Sequence, residues 1–225
     1  MKVTTDGCLF GAWVAEKVRS LEPGVSNVLD IGTGTGLLSL MLAQKDPNLH
    51  IDAIEIDKEA AEQATENIAA SPWADRIRVN HTDAKEFQSN RYYDLIISNP
   101  PFYENELKSG KSQKDVAHHS EGLQLKDLLV IIKNNLKPDG LFCLLLPYKR
   151  NAEAKILLNE AGLHITEITF VRQSTNHDFF RIMIMGKTGT NEQAETMIDE
   201  ISIKNDNNQY TLAFTNVLKE YYLHL

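Results

Sequence analysis

The chain predicts an α/β fold, with an open, mostly parallel, seven-stranded sheet, an antiparallel C-terminal edge hairpin and helices on both faces. Three observations lead there. Short apolar segments alternate with helix-periodic ones from residue 25 to residue 185, the pattern of a parallel sheet with crossover helices. Leu141 to Leu146 is an unbroken apolar run, as in a strand covered on both faces. The connector Arg172 to Asp178 is too short to hold a crossover helix, so the last two strands must run antiparallel.

The elements follow in order. Asn27 to Ile31 reads as a buried strand that ends in a glycine-rich turn. Leu37 to Gln44 reads as a helix, with Leu37, Leu38, Met41 and Leu42 on one face. Ile51 to Ile56 alternates apolar and acidic residues, as a second strand would. Lys58 to Ala70 is a helix rich in Ala, Glu and Gln, stopped by Ser71-Pro72. Ile77 to Val79 suggests a third strand and Tyr93 to Ser98 a fourth, which must leave the sheet at Pro100-Pro101. The polar stretch Tyr103 to Glu121 has no apolar periodicity and the length of a functional loop. Leu123 to Leu136 resumes as a helix, closed by Lys137-Pro138-Asp139-Gly140, and Leu141 to Leu146 is the fifth strand. Asn151 to Gly162 is helical with Gly162 as its stop. His164 to Val171 and Phe179 to Met185 form the hairpin. The tail offers a short extended piece near Ile201 and an amphipathic helix from about Thr211.

The 225 residues carry no linker-like composition shift and no internal repeat, so a single domain is expected: residues 1–24 ahead of the core, a core over 25–185 and an extension over 186–225. Cys8 and Cys143 are too few for a disulfide framework and lack metal-ligand spacing. The adjacent His118-His119 has no third ligand nearby, and no metal is expected. No apolar run reaches membrane-span length and the start has no apolar leader, which predicts a cytoplasmic protein with no membrane partner. The net charge of −8 argues against a broad basic field for holding nucleic acid and leaves room only for a local patch.

In such sheets ligands sit beyond the carboxyl ends of the strands, so the residues after each strand carry the functional signal. After the first comes Asp30-Ile31-Gly32-Thr33-Gly34-Thr35-Gly36, whose glycines let the backbone pass close to a ligand ahead of a helix N-terminus. Leu37 breaks the nicotinamide-type pattern, and no Gly-Lys-Ser/Thr follows for a phosphate loop. The D-x-G-x-G-x-G form resembles the first motif of the S-adenosyl-L-methionine-dependent methyltransferases of the Rossmann-like class, in which this loop backs the methionine end of the cofactor. After the second strand, Glu55 stands 19 residues beyond Gly36, where an acid can accept both hydrogen bonds of a ribose diol. The resemblance carries Ile56 beside it into the cofactor set, and places Asp83 and Ala84, after the third strand, on the adenine. Asp83 reads equally as an N-cap of the segment that follows.

After the fourth strand comes Asn99-Pro100-Pro101-Phe102. It resembles the (N/D)-P-P-(F/Y/W) motif of methyltransferases acting on planar amino groups, so these four residues are the candidate catalytic set, with Asn99 also near the cofactor. An exocyclic amine is a poor nucleophile because its lone pair is delocalised into the ring. The Asn99 side-chain oxygen and the Pro100 carbonyl can each accept one N–H, favouring a pyramidal nitrogen, and Phe102 can stack on the flat substrate.

The opening Met1-Lys2-Val3-Thr4-Thr5-Asp6-Gly7-Cys8-Leu9-Phe10-Gly11-Ala12-Trp13 narrows the substrate. With Gly36 to Gln44, Glu66 to Ile77 and Asp94 to Phe102, it resembles the bacterial tRNA1(Val) (adenine(37)-N6)-methyltransferases over nearly the whole chain. The family pattern usually has Gly where Thr4 stands, and places residues ahead of the position of Met1. The resemblance implies methylation of adenine N6 in a tRNA anticodon loop, where a base can be splayed out without breaking a pair. It implies a segment over 1–24 that folds across the cofactor, with Thr5 at its methionine end. Candidate RNA contacts are Lys108, Lys111 and Lys114 in the long loop, Lys149 and Arg150 after the fifth strand, and Arg172 and Arg181 around the hairpin. A monomer is expected. The same tetrad also fits enzymes acting on rRNA or on a protein glutamine, and a catalytically silent cofactor-binding module is the reading from a different class.

Overall fold

The computed structural model describes residues 3–20, 24–101, 123–189 and 195–223. Its sheet has the strand order β3-β2-β1-β4-β5-β7-β6-β8. The strands are β1 (Asn27–Ile31), β2 (His50–Glu55), β3 (Ile77–His81), β4 (Tyr93–Ser98), β5 (Leu136–Pro147), β6 (Leu163–Ser174), β7 (Phe179–Thr188) and β8 (Met197–Lys204). The first five pair in parallel, β7 runs antiparallel between β5 and β6, and β8 lies parallel to β6. The helices are α1 (Thr5–Arg19), α2 (Leu37–Lys45), α3 (Lys58–Ala69), α4 (Leu125–Asn135), α5 (Asn151–Ala161) and α6 (Leu212–Leu218).

Among the described residues the sheet carries eight strands where the sequence predicts seven. The hairpin is therefore not the edge; β8 covers it. In β8 only Ile201 and Ile203 are buried, while Met197 and Ile198 stand exposed, so the period-two signal occupies just its last half. Strand β5 begins five residues earlier than the apolar run. Its pairing with β4 skips from Tyr93–Leu136 to Leu95–Leu141 across the expected turn Lys137–Gly140.

Two apolar cores flank the sheet. One packs α1, α2 and α6 on one face, with Phe10, Trp13, Leu42, Phe214 and Leu218; the other packs α4 and α5 on the opposite face, with Leu129, Ile132, Leu158, Phe142 and Ile184. Residues 5–19 form a helix of the core itself. Gly7 through Ala15 are buried without interruption, so α1 is apolar all round and shows no helical stripe. Thr4 caps it, its Oγ1 accepting the Gly7 N–H at 3.3 Å, a contact that Gly at this position would lack. Glu16 on α1 and Glu220 both pair with Lys45 on α2, fastening the tail against the first helix.

Gly162 ends α5 in the left-handed conformation at φ 70°, as the sequence predicts, and α6 begins just after its cap Thr211, where a helix is expected. Among the described residues no helix is long and apolar enough to cross a membrane.

Candidate active site

The strand order reverses direction between β1 and β4, so a crevice opens beyond their carboxyl ends. Ile31 and Ser98 are register partners at those ends, and the Ser98 hydroxyl donates to the Ile31 carbonyl at 2.7 Å. This buried bond ties the glycine loop to Asn99-Pro100-Pro101. Pro100 is buried, whereas Asn99 and Pro101 are exposed. Phe102, Lys108, Lys111, Lys114 and the His118-His119 pair lie outside the described residues.

The glycine loop crosses back over β2. The N–H groups of Gly32 and Thr33 both donate to the Ile54 carbonyl, at 2.9 and 3.0 Å. Gly32, Gly34 and Gly36 have φ of 72°, 59° and 83°, a region that favours glycine. The three differ in what surrounds them. Among the described residues a Cβ on Gly32 would meet nothing within 4 Å, so this glycine leaves room beside it. One on Gly36 would lie 3.3 Å from Ile68 Cδ1, so Gly36 serves the packing of α2 on α3.

Asp30 is fully buried behind this loop. Its Oδ2 accepts from the Thr33 hydroxyl at 2.6 Å and the Ser39 hydroxyl at 2.7 Å, while Oδ1 is buried with no hydrogen-bond partner among the described residues. Burial raises its pKa to about 6, the two hydroxyls pulling against that shift and the Glu55 charge adding to it. A carboxylate with one unmatched oxygen next to an open glycine cradle suits a cationic ligand group. The Glu55 carboxylate is buried at the tip of β2 and accepts from Gly34 N–H at 2.8 Å and Asp57 N–H at 3.0 Å, one on each oxygen. Ile56 beside it is 64% exposed, an apolar surface at the crevice of the kind a flat ring covers. Asp83 accepts the Lys85 N–H at 2.9 Å, so it does cap the turn that follows; Ala84 is half-buried. The residues present thus fit an adenosine ligand with a cationic end.

The N-terminus of α1 reaches this crevice. A Cβ on Gly7 would lie 3.8 Å from Asn99 Nδ2, so the backbone of α1 passes directly over the Asn99 amide. Thr5 is exposed on the first turn. Asp6 receives Arg181 Nε at 2.7 Å. Burial pushes the Asp6 carboxyl up, but hydrogen bonds from Thr4 and Arg181 and the arginine charge outweigh it and hold the group below the ordinary carboxylate range.

Three of the basic residues expected at the RNA are ion-paired within the protein. Arg181 is engaged with Asp6. Arg172 pairs with Glu200 at 2.8 Å, and Arg150 grips Glu153 through two bonds of 2.7 and 2.6 Å. Lys149 is exposed in the turn after β5. Sequence reasoning also missed the groups that assemble the site: Ser98, Thr33, Ser39 and Gly7. Ser98 precedes the proline motif and Gly7 lies in the Thr-Asp-Gly segment, but only the packing shows what each one touches. A cavity of about 880 Å³ runs along β3 and the start of β2, lined by residues including Arg76, Asn80 and Arg91. It contains none of the predicted site residues.

The sequence profile of the methyltransferase small domain matches residues 17–144. The tRNA1(Val) (adenine(37)-N6)-methyltransferase of Phocaeicola vulgatus is 36% identical over 225 residues, covering 100% of this chain and 92% of the relative. That of Bacteroides thetaiotaomicron is 37% identical over 226 residues, with the same coverage. Among solved structures, an O-methyltransferase predicted in Agrobacterium tumefaciens superposes with a TM-score of 0.69 at 16% identity, covering 94% of each chain. An S-adenosylmethionine-dependent methyltransferase of Clostridium acetobutylicum gives 0.61 at 15% identity, covering 84% of this chain and 94% of the other. These two establish the fold, and the near-full-length relatives establish descent: the chain belongs to the tRNA1(Val) (adenine(37)-N6)-methyltransferase family of methyltransferases.

Proposed function

We propose that this protein methylates the exocyclic N6 of an adenine in tRNA, at position 37 of the anticodon loop of tRNA1(Val), with S-adenosyl-L-methionine as donor. The observation that carries the reading is the Ser98–Ile31 bond, which sets Asn99 and Pro100 on the same crevice as the glycine loop. Asp30, Gly32, Gly34, Glu55, Ile56 and Asp83 would hold the donor, and the exposed Thr5 lies on the turn above. Bound there, the donor supplies a methyl group on a sulfonium, a good leaving group.

The chain's own residues do the rest by placement. The Asn99 side-chain oxygen and the Pro100 carbonyl each accept one N–H of the amine, drawing its lone pair out of conjugation. The prolines hold that carbonyl with little freedom. No strong general base is needed, since the nitrogen becomes acidic as the bond forms. Gly7 passing over Asn99 closes the crevice from the α1 side. The site works by orientation and by fixed dipoles aimed at the reacting nitrogen.

Incubation with labelled donor and total tRNA from cells lacking the activity, followed by nucleoside analysis, tests the reading. Labelled N6-methyladenosine is expected; label in protein, rRNA or cytosine reassigns the substrate. The Asn99→Ala variant should lose on the order of 100- to 1,000-fold in kcat, the range for deleting one preorganised polar group, while donor affinity is largely kept. Retained turnover in that variant rules out the amine trap.

A further inference from the structure

The turn after β5 and the turn end of the β6–β7 hairpin bring three aromatic rings together. Tyr148 is 37% exposed, and its ring lies 5.7 Å from that of Phe170 and 5.4 Å from that of Phe179. Phe170 and Phe179 are 5.1 Å apart and half-buried. The Arg172 guanidinium lies 4.0 Å from the centre of the Phe179 ring, locked there by Glu200. Because that carboxylate balances the guanidinium, the surface offers ring faces and a neutralised planar group rather than a bare cation for a phosphate.

Strand register places this cluster relative to the catalytic amide. Ser98 on β4 lies beside Leu144 on β5, and Leu144 lies beside Ile184 on β7. Tyr148 is four residues beyond Leu144, whereas Asn99 is one beyond Ser98. At about 3.3 Å per residue, Tyr148 stands roughly 10 Å farther out along the strands than Asn99, while Phe170, level with Leu146 through Ile182, is only about 3 Å farther out; β7 and β6 lie two and three strands to the side of β4, about 10 and 14 Å away. An adenine whose amino nitrogen is held at Asn99 has its sugar-bearing edge directed outward. Tyr148 is then level with the sugar and the neighbouring nucleotides, with the rest of the cluster to the side.

We propose that Tyr148, Phe170 and Phe179, backed by Arg172, form a stacking platform for a base that flanks the target adenine in a single-stranded RNA loop. The inference rests on the tRNA reading above and names how the substrate loop is gripped. Base–ring stacking supplies binding without phosphate contacts, which suits a chain whose net charge is −8 and whose Arg150, Arg172 and Arg181 are each ion-paired within the protein. A platform of this kind is tolerant of base identity and demands that the base be unpaired, as in an anticodon loop.

The test pairs protein and RNA changes. An anticodon stem-loop is assayed intact and with the base on either side of the target adenine removed in turn, against wild type and Phe179→Ala. For the wild type, one of the two abasic loops should raise KM about 5- to 150-fold, the span expected for losing one stack. Phe179→Ala should raise KM for the intact loop by a similar factor and should show no further loss with that abasic loop. Phe179→Leu, which keeps the volume but cannot stack, gives the same pattern should the alanine variant fail to fold. Donor affinity should be unchanged, and the slope of log affinity against log salt should match wild type, because no phosphate contact is lost. Additive losses, an unchanged KM, or a reduced salt slope would each overturn the platform while leaving the methylation reading intact. Failure of the wild type to methylate the intact loop sinks both.

Discussion

The buried carboxylate behind the glycine loop makes stability without ligand depend on pH in a direction opposite to most acidic groups. Asp30 has a folded pKa of about 6 against an ordinary value of 3.8. The gap of roughly two units corresponds to about 3 kcal/mol. Because the folded value is the higher one, the folded state holds the proton more tightly. Its contribution to stability is therefore complete below pH 3.8 and is lost as the pH rises through about 6. Urea unfolding of the ligand-free protein from pH 4 to pH 7.5, wild type against Asp30→Asn, isolates this group, since other titrations cancel in the difference. The stability of wild type relative to the variant should fall by about 2–3 kcal/mol across that range. A cationic ligand group favours the ionised carboxylate, so donor binding should tighten between pH 5 and 7 in wild type and stay flat in the variant. Parallel unfolding curves for the two proteins across this range would refute the argument.

The two glycines flanking the loop should respond differently to alanine. Both substitutions force an L-residue into a left-handed backbone, at about 1–2 kcal/mol of stability each. Gly32→Ala also puts a methyl group into the room left at the crevice, so calorimetric titration should show weaker donor binding; for Gly36→Ala the methyl meets Ile68 instead, and melting temperature should fall with affinity little changed. Equal donor affinity in the two variants would contradict the assignment. The Arg181–Asp6 pair should act as a positioning contact for the α1 turn over Asn99. Arg181→Gln and Asp6→Asn should each raise KM for the donor more than they lower kcat, with a stability cost below about 1 kcal/mol because the arginine is part-exposed. The double variant should be no worse than either single one; additive effects would show that the two residues act separately.

The parts of the fold that were readable in advance are those whose signal is local. Strand β4 begins and ends where its apolar run and the two prolines put it. Gly162 and the Gly32–Gly36 loop each announce a left-handed backbone that few other residues adopt as readily, and Thr211 offers a hydroxyl to cap a helix. What escaped the reading depends on distant partners. The stretch Gly7 to Ala15 of α1 has no polar face, because the sheet and two other helices pack around it, so it shows hydrophobicity without a period. The fate of Arg150, Arg172 and Arg181 was equally hidden: a sequence displays a charge, but the carboxylate that engages it lies 3, 28 and 175 residues away. The same holds for Ser98 and Ile31, 67 residues apart, whose bond joins the two halves of the candidate site.

That bond also constrains how the protein reaches its working form. Neighbouring parallel strands joined only through long crossovers form late in folding, and they can pair one step out of place. Slippage of one residue would swing the serine hydroxyl to the wrong side, strip the Ile31 carbonyl of its partner and carry the asparagine away from the loop it must face. Catalytic competence therefore reports correct strand alignment, and misaligned molecules would betray themselves as an inactive fraction in freshly refolded samples.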